Sequence, residues 1–157
     1  IMAIVNPFKG VRPVRDKVSL VASRSYLSYS KETLIEKLEN NPYTFLHIIN
    51  PDFSNKQKAK NLKHKFQMVK DKFKSFVHKG VFIEDQKDCF YIYQQTNGDN
   101  NYLGLICASS IQDYLDGTIK IHEQTLSSRE DIFTDYLQTT GFNAEPVLIT
   151  HQDNDSI

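Results

Sequence analysis

The chain contains no tryptophan, only two cysteines and two methionines, and no excess charge of either sign: 19 basic and 19 acidic residues in 157. Each shortage excludes something. Zero formal net charge removes any global pull toward nucleic acid or an anionic membrane. No apolar run approaches the ~20 residues that a membrane-spanning helix needs, so no membrane partner is expected. Cys89 and Cys107 are too few for a disulfide framework, and no Cys–His spacing suggests zinc. With Phe90 beside one and Ile106 and Ala108 beside the other, they read as reduced core thiols in neighbouring strands of a cytoplasmic protein. What is present, 39% hydrophobic and 24% charged residues, fits a single globular domain with a real core.

Along the chain, Pro7, Gly10 and Pro13 punctuate an opening ribbon that carries Lys9 and Arg12. The apolar runs at 18–22 and 44–49 read as strands, the second containing His47 as a hydrogen-bonded core residue. Between them, a polar loop holds Arg24, and Ser30 caps a helix over 30–39 that stops at Asn41-Pro42. The longest helix is expected over 56–78. Ala59, Leu62, Phe66, Val69, Phe73 and Phe76 make its one buried stripe, and nine lysines from Lys56 to Lys79 cover its other faces against a single acid, Asp71. Strands follow at 81–83, 89–95 and 102–109, the last two joined by an Asn97-Gly98 hairpin signal. That hairpin is apolar on both faces, which predicts cover on both. One helical turn at 110–115, a helix over 128–139 and a last strand at 146–150 complete the chain.

Reactive chemistry concentrates in one place. Residues 118–122 alternate with a period of two, as a strand does, and run into a helix start marked by overlapping capping boxes, Ser127 with Glu130 and Ser128 with Asp131. A helix start offers free backbone N–H groups and a positive dipole end to an anion. Here it comes with His122, Glu123, Thr125, Ser128 and Arg129. His122 and Glu123 suit general acid–base work, or Glu123 can hold magnesium brought by a bound phosphate; Thr125, Ser128 and Arg129 suit phosphate oxygens. The Walker loop, G-x-G-x-x-G, the nucleophile elbow and H-E-x-x-H are all absent.

Several ordered segments resemble domain-of-unknown-function family 1015, in its amino-terminal part. Pro7-Phe8-Lys9-Gly10-Val11-Arg12-Pro13 is similar to the family's opening, and Asn41-Pro42-Tyr43-Thr44-Phe45-Leu46-His47 to its Asn-Pro-Tyr-Ser-Phe-Leu-His block. Tyr91-Ile92-Tyr93-Gln94-Gln95, Lys120-Ile121-His122-Glu123-Gln124-Thr125 and Glu145-Pro146-Val147-Leu148-Ile149 resemble three further blocks, the Lys-x-His-Glu-x-Thr motif being the most specific. Two positions depart: Ser25-Tyr26-Leu27 stands where the family often has Pro-Tyr-Asp, and Ile132 follows Asp131 where it often has Arg. The family's usual length implies that residues 1–157 are one α+β domain from the amino-terminal part of a longer protein, whose remaining carboxyl-terminal portion is then a partner. A strand running into a polar helix start is loosely similar to the ParB-like fold, whose relatives bind nucleotides.

The expected architecture is α+β, a mixed sheet of about five or six strands with three main helices. The expected function is binding of a nucleotide or phosphorylated metabolite, with magnesium a possible companion and small-molecule phosphotransfer a possible chemistry. His122 and Glu123 are the catalytic candidates. Thr125, Ser128, Arg129, Lys9, Arg12 and Arg24 are the ligand-binding ones. Two alternatives stand beside it: a module that docks nucleic acid or an acidic protein on the Lys-rich helix, and a regulatory or structural domain without its own activity.

Overall fold

Pro7 and Pro13 keep the opening of the chain out of helix. In the computed structural model, which describes residues 3–53, 58–121 and 127–151, that opening forms two short strands, Val5–Asn6 (β1) and Val11–Pro13 (β2). A 3-10 turn at Arg15–Lys17 leads into one helical turn, Val18–Val21 (α1), where a strand was expected. A short apolar run has no period that separates strand from helix. Here the backbone closes on itself, the Ala22 N–H donating to the Val18 carbonyl at 3.0 Å.

The helix Lys31–Asn40 (α2) obeys its local signals: the Ser30 hydroxyl accepts from the Thr33 N–H at 3.2 Å, and Asn41 turns extended before Pro42. Asn41 then ties three segments together. Its side chain donates to the Leu20 carbonyl at 2.6 Å and accepts from the Tyr43 N–H at 3.0 Å, while its own carbonyl accepts from His47 Nε2 at 3.0 Å. Leu46–Ile49 (α3) is again a helical turn in place of the strand expected at 44–49. Leu46, His47 and Ile48 are all buried, so this run is apolar because it is surrounded.

The long helix is Leu62–His78 (α4), not 56–78. The Asn61 side chain accepts from the His64 N–H at 2.8 Å and sets the start there, leaving Ala59 outside the helix. Phe82–Glu84 (β3) pairs antiparallel with β2. Tyr91–Asn97 (β4) and Asn100–Ile106 (β5) form the expected hairpin, with Gly98 at φ +60° in the first place of a two-residue loop, as a type II′ turn requires. Ala108–Ser109 (β6) pairs with β1, Ile111–Leu115 (α5) is the expected short helical turn, and Ser127–Thr140 (α6) is the last helix.

The class is α+β as expected, but the sheet of five or six strands is not there. Among the described residues, strands pair only two by two: β1 with β6, β2 with β3, β4 with β5. Besides the two runs that became helical, residues 118–121 form no strand. Asp116 Oδ1 accepts from the Thr118 N–H at 3.0 Å and the Asp113 carbonyl from the Ile119 N–H at 2.8 Å, so the turn has already used the groups a strand partner would need. Residues 146–150 also form no strand.

The core lies where α3, α4 and β3 meet, with Val21, Ile48, Val69, Phe76, Val81 and Phe82 buried together. The α4 stripe is right from Phe66 to Phe76, and α6 packs along it through Tyr136, edge-on to Phe66 at 5.2 Å. Phe142, just past α6, stacks on Phe73 at 4.1 Å. The hairpin has no such cover. Ile92 is 81% and Leu103 74% exposed, so the expectation that both its faces are covered fails within this structure. Cys89 and Cys107 form no disulfide and are half-buried beside the hairpin, not in the core.

Candidate functional site

A cluster of polar groups lies where the opening ribbon meets the start of the hairpin. The Tyr91 hydroxyl accepts from the Gly10 N–H at 2.7 Å and donates to Asp85 Oδ2 at 2.7 Å. Arg12 grips the same carboxylate, Nε and Nη2 each 2.9 Å from Oδ1. The Arg12 hydrogen bond, then that of Tyr91, holds the Asp85 carboxyl below its ordinary pKa, and Asp85 in turn raises that of Arg12. Tyr91 titrates above its ordinary value, first through desolvation and then through its bond to Asp85. A Cβ at position 10 would sit 2.6 Å from the Tyr91 oxygen, so any larger residue would push the Tyr91 ring out of this contact. Gly10 is thus a close-approach residue as well as punctuation.

A second polar anchor is Asp113, buried in α5. Its carboxylate accepts from the Ile4 N–H at 2.6 Å and its carbonyl from the Ile119 N–H at 2.8 Å. One residue therefore binds the root of the opening ribbon to the segment that runs toward His122.

His122, Glu123 and Thr125 lie outside the described residues, and Ser128 is placed by its backbone in the first turn of α6. Arg129, in the same turn, is exposed and lines a cleft of about 550 Å³ with Glu130, Phe133, Thr134, Leu137 and Glu145. Lys9 is exposed on the ribbon next to Gly10. Arg12 is committed to Asp85. Arg24 is exposed after α1, its N–H donating to the Tyr29 hydroxyl at 2.9 Å. No hydrogen bond or ion pair among the described residues joins Arg24 or Lys9 to Arg129.

A second cleft, of about 280 Å³, lies between α1 and α2 and is lined by polar groups that include Ser19, Ser23, Glu36, Lys37 and Asn40. Lys37 rests over the Tyr29 ring at 5.2 Å. His47, bonded to the Asn41 carbonyl, is buried, and desolvation first, then the cation of Lys72, lowers its pKa. This is the core histidine that its apolar surroundings predicted.

On the Lys-rich helix, Phe66 and Phe76 are buried and Lys72 lies over the Phe76 ring at 5.9 Å. Burial, then Lys79, lowers the Lys72 pKa. The aromatic rings serve the core and are not stacking platforms for bases. Among the described residues, no three His, Cys, Asp or Glu side chains gather as a metal site, and no helix is long and apolar enough to cross a membrane.

Sequence reasoning missed Asp85, Tyr91 and Asp113. Asp85 falls between the strands expected at 81–83 and 89–95, and Asp113 in the helical turn expected at 110–115. Their partners are 73 and 109 residues away along the chain, and no local pattern carries that information. No curated protein and no solved structure matches the chain, so the ParB-like likeness stays an analogy. The family resemblance is another matter: a family model described as protein of unknown function, DUF1015, matches residues 5–157, and the chain belongs to that family.

Proposed function

We propose that the chain binds a nucleotide or a phosphorylated small metabolite at the approach to α6, with small-molecule phosphotransfer as its chemistry. The observation that carries this reading is the Asp113 anchor. Because it holds Ile4 and Ile119 at one point, the ribbon bearing Lys9 and the segment leading to His122 and Glu123 start from the same place. Arg129 adds support from the far side, exposed in the first helical turn beside a cleft of about 550 Å³. A helix start favours an anion through its free N–H groups and dipole. In this reading Thr125, Ser128 and Arg129 bind phosphate oxygens, and His122 exchanges a proton with the acceptor hydroxyl. Glu123 supplies a hard oxygen ligand for magnesium entering with a nucleotide. Arg12 is left to the ribbon, its charge already met by Asp85. Two thiols that form no disulfide suit a reducing compartment, and the cytoplasm is proposed as the setting.

Thermal shift tests the reading directly. Adenine and cytosine nucleotides, phosphoserine and inorganic phosphate are added with and without magnesium, to wild type and to a His122→Ala, Glu123→Gln variant. A ligand at a hundred times its dissociation constant should stabilise by about 2.7 kcal/mol. The expected result is a shift in wild type that the variant loses. A shift of equal size in the variant would move the site elsewhere, and no shift with any ligand would overturn the reading. A second reading has one observation behind it: Lys63 and Lys74 stand exposed on the outer side of α4, as a surface for nucleic acid or an acidic protein requires. It calls for binding that weakens steeply with salt.

A further inference from the structure

The hairpin β4–β5 and the segment 146–150 have opposite needs. Each hairpin strand is seven residues long, yet no third strand joins them among the described residues. A lone two-stranded hairpin is at best marginally stable in water. Natural edges are guarded by charge, proline or a bulge. Here the register runs unbroken from Tyr91 opposite Ile106 to Asn97 opposite Asn100, neither strand contains proline, and the only charged residue is Asp99 in the loop. On one face Ile92 sits opposite Leu105 with Leu103 beside them, all exposed. The opening ribbon touches both strands only at their base, Phe8 pairing with Cys89 just before β4 and β1 with β6 just after β5, so among the described residues the outer edge of β5 over Asn100–Ile106 pairs with nothing. Meanwhile Val147, Leu148 and Ile149 stand in water, Leu148 being 88% exposed, and their segment forms no strand in its own chain.

We infer that two copies of this chain exchange these elements: residues 146–150 of each copy add as a third strand along the free edge of the other's β5. With a side-chain period of two, Val147 and Ile149 then fall on the face of Leu103 and Leu105, and Leu148 on the opposite one. The exchange is reciprocal, as a two-fold dimer requires. The six apolar side chains expose on the order of 700 Å² per copy, the most that pairing can cover, against the ~800 Å² per partner of a stable interface. The segment and the edge carry no like charges that would oppose the pairing; Glu145 precedes the segment.

Light scattering coupled to size exclusion, over a micromolar dilution series, tests this on the whole chain. Wild type should run at twice its 18.2 kDa mass and dissociate on dilution. Leu103→Lys, on the receiving edge, and Val147→Lys, on the donated segment, should each weaken the dimer at least tenfold. Leu27→Lys, at an exposed apolar residue elsewhere, should leave it intact. All three sites are exposed, so circular dichroism of the dilute monomers should match wild type and separates loss of pairing from loss of folding. A wild-type monomer across the series would overturn the inference, as would a dimer that survives both hairpin-side and segment-side substitutions.

Discussion

The two halves of this molecule stand by different means. Around α4, side chains from three other elements converge on one helix face, and Leu46 and Ile48 are 0% exposed. Around β4 and β5, the strands hold each other by backbone hydrogen bonds and one side-chain bond, Thr96 Oγ1 donating to Asn101 Oδ1 at 2.9 Å, while most of their side chains face water. Polar contacts then attach that half: the Tyr91–Asp85–Arg12 group at the start of the hairpin and Asp113 beneath β1. Apolar burial contributes roughly 25 cal/mol per Å² wherever it occurs, whereas one hydrogen bond adds only about 1 kcal/mol net but is costly to leave half-made. The helical half should therefore respond to lost volume, and the hairpin half to lost geometry.

The largest expected effect breaks the first half. Ile48→Ala empties a fully buried site and should destabilise by about 2–5 kcal/mol in urea unfolding. Next comes the clasp. Gly10→Ala sets a methyl 2.6 Å from the Tyr91 oxygen and should cost about 1–3 kcal/mol, although no apolar contact is removed. Adding Tyr91→Ala, which removes the ring carbon at 2.7 Å as well as the hydroxyl, should give a strongly non-additive double variant if the two residues act through that contact; additive losses would mean that Gly10 matters for another reason. A smaller effect is a pH limb. The folded-state pKa of His47 lies below its ordinary value of about 6.5, so its contribution is intact above that pH and is lost as pH falls through the lower folded value. His47→Gln, which keeps a donor toward the Asn41 carbonyl, should flatten the urea midpoint against pH in that range. A limb that persists in the variant would assign it to other groups. The smallest expected effect mirrors the first. Ile92→Ala, truncating a side chain that is 81% exposed, should change stability by under about 0.5 kcal/mol at a dilution where the chain is monomeric. A loss as large as that of Ile48→Ala would show that the hairpin is covered within one chain and would end the contrast.

Reading from sequence succeeded where the cause is local. Ser30 and Pro42 bound α2, the 3-4 spacing of Phe66, Val69, Phe73 and Phe76 names the buried face of α4, and Asn97-Gly98 marks the hairpin. Capping, periodicity and turn chemistry each act within a few residues. The short apolar runs at 18–22 and 44–49 misled, because five or six apolar residues look alike in a buried helical turn and in a strand. For the candidate site, the sequence named Arg129 at a helix start, and α6 does begin at Ser127. It also proposed Arg12 as a ligand cation without any sign of Asp85, the carboxylate that takes it.

The family, the α+β class, the cap of α2 and the buried face of α4 from Phe66 to Phe76 follow from residues that act on near neighbours along the chain. Pairings across long separations belong to the folded chain alone: Gly10 with Tyr91, Arg12 with Asp85, Ile4 with Asp113, and, among the described residues, the division of the strands into three pairs instead of one sheet. Closing such contacts depends on where packing brings distant segments, and a hydrogen-bonding side chain looks the same in the sequence whichever partner it finally meets.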